Sequence, residues 1–152
     1  MDNHDQVTTL NTLTATLIDS VTGYEDAAAN ADGNRFQEIF RQRASERTRA
    51  VEELRSEVRR LGGNPEDDGS FLGKTHQRFL DLKAAVTGRD DQAVINEVER
   101  GEDYLKEKFE TALNSDALTS ETRSVVERVY QSVRAGHDRA SALKHSMQSA
   151  SA

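Results

Sequence analysis

In the stretch "NEVERGEDYLKEKF", residues 96–109, Val98, Leu105 and Phe109 fall on one face of a helix, and the position completing that face is an acid, Glu102, preceded by Gly101. An acid within an apolar stripe has two chemical uses. It can ligate a hard cation, as the inward carboxylates of di-iron and di-manganese bundles do. It can also pair with an arginine on a neighbouring helix. A metal site would recruit Glu46, Glu99, Glu127 and His137 alongside Glu102, whereas an ionic layer would recruit Arg43 and Arg47.

The motif pattern favours the ionic layer. A di-metal bundle takes a Glu-x-x-His from each of two helices and one Glu from each of the other two. Here the corresponding stretches read "SERTR" (45–49) and "VERVY" (126–130), and both histidines are missing. A guanidinium in the same layer cannot ligate and repels a divalent ion. An unpaired carboxylate on an apolar face is costly, whereas one held by Arg43 or Arg47 is not. Iron or manganese binding with oxygen chemistry is the alternative. Counting residues from the turns puts Asp19, Arg47, Glu102, Glu127 and Tyr130 at one level. His137 then lies about 10 Å along the axis from Tyr130, out of reach of that level unless the metal site is displaced.

Other chemistry is thinly represented. With no cysteine there is no thiol nucleophile and no thiolate metal site. There is also no G-x-S-x-G and no glycine-rich phosphate loop. The acids Glu66, Asp67 and Asp68 have the look of a calcium loop, but Thr75 stands where the bidentate glutamate belongs. His76 and His137 are expected at the core edge with local partners. Tyr24, Tyr104 and Tyr130 are expected at the core margin with their hydroxyls reaching water or a charge.

The elements that must position these groups are helices. A stripe of Leu10, Leu13, Leu17, Val21, Tyr24 and Ala28 predicts a first helix from about Val7 to Ala31, stopped by Gly33. A second, about Arg35 to Leu61, ends at Gly62 and Gly63, with Glu46–Arg49 and Glu52–Arg55 expected to pair on its outer side. Its many arginines therefore read as a solvated helix face. A short helix is expected at about Phe71 to Val86, then two long ones at about Asp91 to Leu113 and Thr119 to Lys144. Four long amphipathic helices that each bury one stripe predict an all-α, ferritin-like four-helix bundle, with the short extra helix in the crossover between long helices 2 and 3. A five-helix up-and-down array is the alternative topology.

Composition sets the outer bounds. A chain of 152 residues fits one domain, expected over residues 1–146, with 147–152 as a disordered tail. The net charge of −7 argues against nucleic acid and anionic membranes as partners. No secretory leader and no apolar run long enough for a membrane span is visible, so a cytoplasmic location is expected. A protein partner or self-association is the expected interaction.

The stretches "GYEDAA" (23–28), "RAVEELRSEVRRLGGNPEDDGS" (49–70), "HQRFLDLKAAVTGRDD" (76–91), "NEVERGEDYLKEKFETAL" (96–113) and "VERVYQSVRAGHDRASALK" (126–144) carry a resemblance. In them the chain resembles a bacterial family of ferritin-like four-helix-bundle domains, domain of unknown function 2383. The resemblance implies a ferritin-like bundle and an association with stress-related proteins. It implies no catalytic residue.

Overall fold

The computed structural model describes residues 3–30, 36–65, 84–88 and 90–151, with side chains as far as Ser146. It is all-helical, with no strand among the described residues. Four long helices carry the chain: α1 (His4–Ala29), α2 (Gln37–Arg60), α3 (Asp91–Leu113) and α4 (Ser120–Ser151). Residues 84–87 are also helical. The rest of the expected crossover helix, with His76, the acids at 66–68 and Gly33, lies outside the described residues.

Local sequence explains the helix boundaries. Asp90 caps α3, its Oδ1 accepting from the amides of Gln92 at 3.1 Å and Ala93 at 3.2 Å, which satisfies two donors that a helix start leaves orphaned. At the end of α2, Gly62 takes φ 83°, a conformation open to glycine at little cost. The Gly62 amide then bonds the carbonyl of Arg59 and the Gly63 amide that of Val58, which is a Schellman closure. No side chain longer than that of Gly63 fits beside Val7, whose methyl carbons lie 2.8 Å from where a Cβ would stand. The last helix continues beyond the expected end at Lys144, to Ser151.

Helix contacts form a closed ring: α1 packs on α2, α2 on α4, α4 on α3, and α3 on α1. The interior of the ring is divided. One apolar cluster contains Leu13, Leu17, Leu54, Leu105, Phe109 and Val133. The other contains Tyr24, Phe36, Phe40, Val94, Val98 and Ala140. On α2, α3 and α4 the boundary between them falls at Arg47, Glu102 and Gly136 respectively, since each of these lies between the last residue of one cluster and the first of the other. A polar layer therefore crosses the interior between two hydrophobic halves.

Candidate functional site

The acid singled out by sequence is fully enclosed. Glu102 is 0% exposed and Arg47 1% exposed. From α2, Arg47 Nη2 donates to both oxygens of Glu102, at 2.6 Å to Oε1 and 2.7 Å to Oε2. Arg43, one helical turn earlier, brings its Nε to 3.7 Å from Oε1. From α1, the Tyr24 hydroxyl donates to the same Oε1 at 3.1 Å. Three helices thus converge on one carboxylate. A charge-assisted contact of this length is among the stronger hydrogen bonds a protein makes.

The fourth helix contributes a gap. A Cβ at Gly136 would stand 2.5 Å from Arg47 Nη2, 3.2 Å from Arg43 Nη1 and 3.3 Å from Glu102 Oε1. The absent side chain on α4 is what lets the two guanidinium groups and the carboxylate occupy the centre. The contact is not the side-on fork that two guanidinium nitrogens can make with a carboxylate. Because Nη2 alone serves both oxygens, Arg47 Nε and Nη1 are buried without a hydrogen-bond partner among the described residues.

Electrostatics follow from this enclosure. Burial pushes the Tyr24 hydroxyl well above its ordinary pKa, and the neighbouring Glu102 charge pushes it further in the same direction. Burial opposes the charge on Arg47, but Glu102 outweighs it and the guanidinium holds its proton more firmly than usual. Tyr24 is accordingly a neutral donor and Arg47 a fixed cation at every physiological pH.

The remaining expected residues disperse around this layer. Glu46 does not pair with Arg49 on the outer side of α2. Its Oε2 accepts from Arg43 at 3.1 Å and its Oε1 from Arg139 of α4 at 2.9 Å. Burial pushes this carboxyl up, and the two arginines overcome that and hold it below its ordinary value. Glu99 binds Lys144 at 2.8 Å, and Glu127 is exposed. His137 Nε2 lies 2.6 Å from Asp103, with its Nδ1 3.4 Å from Asp138. Among the described residues no three His, Asp or Glu side chains gather where they could hold a metal ion. At Glu102 the place a cation would take is filled by Arg47 Nη2, so the donor set does not fit a di-metal centre.

The expected level of α4 requires correction. Tyr130 is not beside Glu102; its hydroxyl donates to Glu110 at 2.7 Å. With Asp103 facing His137 and Glu110 facing Tyr130, the end of α3 comes about seven residues into α4, a shift of roughly 10 Å at 1.5 Å per residue. Equal counting from the turn assumed that both helices begin at the same height. Arg123 shows how the overhang is used, for it donates to the carbonyls of Leu113 and Ser115 and so covers the end of α3.

Sequence reasoning missed two participants, Gly136 and Glu57, and misjudged the depth of a third: the Tyr24 hydroxyl reaches a charge as expected, but from the interior and not from the core margin. Tyr24 lies on the expected stripe of α1, but nothing in its spacing distinguishes a fully buried hydroxyl from one at the margin. Gly136 had a usable signal, being the residue without a side chain in the series Val129, Val133, Gly136 and Ala140. Glu57 was also missed. It is 5% exposed and accepts from Arg60 at 2.7 and 2.6 Å and from Thr122 of α4 at 2.8 Å.

A family model described as a domain of unknown function, DUF2383, matches residues 5–115. The chain belongs to this family. The matched DUF2383 region takes in α1, α2 and α3, and with them Tyr24, Arg43, Arg47 and Glu102; it ends before Gly136 of α4. No curated protein matches the chain.

Proposed function

We propose that this DUF2383 chain is a ferritin-like four-helix bundle without a catalytic centre, acting in the cytoplasm as a structural or interaction protein. The closed ring of helix contacts supports the bundle. The short segments after α1 and α3 and the long connection between α2 and α3 support one crossover, as in ferritin-like topology. The observation that carries the functional reading is the state of Glu102. Both of its oxygens are held by Arg47, and neither is exposed to a substrate. A buried ionic layer of this kind is suited to fixing helix register, because sliding one helix would leave an uncompensated charge in an apolar interior.

Anaerobic loading with iron(II), and separately with manganese(II), followed by desalting and elemental analysis, tests this reading. The expected result is no stoichiometric metal and a melting temperature unchanged by chelator. Retention of stoichiometric metal together with a chelator-sensitive melting temperature would overturn it in favour of a carboxylate-rich metal protein.

A further inference from the structure

A cavity of about 230 Å³ opens in the half of the interior that contains the aromatic residues. Its walls come from all four helices: Tyr24 from α1, Phe36 and Phe40 at the start of α2, Val98 from α3, and Leu143 from α4. Phe36 and Phe40 are stacked with ring centroids 5.9 Å apart, and Tyr24 tilts against Phe40 at 5.8 Å. These rings give the cavity a stiff apolar wall. The polar exceptions are Gln42 and two cations, Arg43 and Arg139, and no acid lines it among the described residues.

Those cations are prearranged. Glu46 stands behind them, one oxygen on Arg43 and the other on Arg139. Arg43 is additionally drawn toward Glu102 and is only 6% exposed, whereas Arg139 is half exposed. A guanidinium carries five N–H donors, and among the described residues each of these two spends one hydrogen bond on Glu46. Both therefore retain donors for an anion. An apolar space with two arginines and no acid among its lining residues is complementary to a molecule with an apolar body and one anionic head.

We propose that this cavity binds a small amphiphilic carboxylate, its tail against the aromatic wall and its head between Arg43 and Arg139. Scaled from the ~150 Å³ cavity that takes benzene, the space holds roughly nine non-hydrogen atoms, about the size of a medium-chain monocarboxylic acid. The site shares Tyr24 and Arg43 with the layer that seals Glu102, whereas Arg139 belongs to the cavity side alone. It is a binding activity beyond the scaffold role.

Calorimetric titration of the full chain with octanoate, octan-1-ol and octylammonium distinguishes head-group recognition from simple apolar filling. Octanoate is expected to bind saturably, one per chain. Octan-1-ol should bind at least about tenfold more weakly, and octylammonium more weakly still. In Arg139→Gln, octanoate should lose about tenfold in affinity with octan-1-ol unchanged. In Ala140→Leu, which fills the cavity, both should be lost while the far-ultraviolet spectrum stays unaltered. Failure of octanoate to saturate the chain, equal affinity for the alcohol, or octanoate binding that survives Arg139→Gln at full strength would each overturn the proposal.

Discussion

Arg47 Nη2 sits between the two oxygens of Glu102, at 2.6 and 2.7 Å, with neither side chain more than 1% exposed. The pair lies where the two apolar clusters meet, so its position is set by the packing on either side. Removing two charges from water costs several kcal/mol each, and a pair survives there only with close contact and supporting hydrogen bonds. Tyr24 and Arg43 supply that support. The arrangement contributes less to net stability than an apolar replacement could, but it penalises every misaligned packing of the helices.

Gly136 should be intolerant of alanine. In an exposed helix interior, Gly to Ala stabilises by about 1 kcal/mol. Here the new methyl would stand 2.5 Å from Arg47 Nη2, and that nitrogen cannot withdraw without releasing Glu102. Gly136→Ala is therefore expected to destabilise by about 1–3 kcal/mol, the range of overpacked cores, as read from urea unfolding. A gain in stability would mean that the arginine moves aside freely.

The Tyr24 hydroxyl makes the fold sensitive to base. Its pKa in the folded chain is raised, by burial first and Glu102 second. Folding therefore favours the protonated phenol, so the contribution is complete below the unfolded pKa of about 10 and is lost as pH rises above it. Tyr130, raised chiefly by its hydrogen bond to Glu110, acts in the same direction. Tyr24→Phe should cost about 1 kcal/mol at neutral pH, the typical worth of one hydrogen bond. It should also flatten the fall in melting temperature between about pH 9 and pH 11. An unchanged alkaline slope would contradict the buried phenol.

Acid acts through Glu57. Its hydrogen bonds from Arg60, then from Thr122, hold the carboxyl below its ordinary range despite the opposing effect of burial. A carboxyl lowered in the folded state contributes stability above its unfolded pKa, and that contribution disappears as pH falls through the lowered value. Glu46 behaves likewise, held down by Arg139 and Arg43 against burial. Glu57→Gln should thus weaken the decline of melting temperature between about pH 5 and pH 2 relative to the parent chain. Thr122→Val, which keeps the volume and removes the donor, should cost about 1–3 kcal/mol at neutral pH. Both are measurable by circular dichroism melts.

Much of this architecture was legible in the residues. The boundaries of α3 follow from Asp90, Asp91 and the apolar series ending at Leu113, and an acid interrupting that series marked Glu102 as needing a cation. Helical periodicity also put Arg43 and Arg47 toward the interior. Register between helices was not legible, because it depends on where each helix begins in space. That is why Tyr130 and Glu127 were expected at the level that Gly136 occupies. Local spacing likewise pairs Glu46 with Arg49, whereas the fold offers Arg139 from a helix more than ninety residues away. Such contacts have no signature in a single sequence.

The central claim, that Glu102 and Arg47 act as one buried ionic unit, is tested most directly by a double-mutant cycle with Glu102→Gln, Arg47→Met and the double variant, measured by urea unfolding. Either single change leaves a charge buried without its partner and should cost about 3–5 kcal/mol. The double variant should be less destabilised than the sum of the singles, with a coupling of at least about 2 kcal/mol. A coupling below about 0.5 kcal/mol, the level at which independent sites add, would contradict the account.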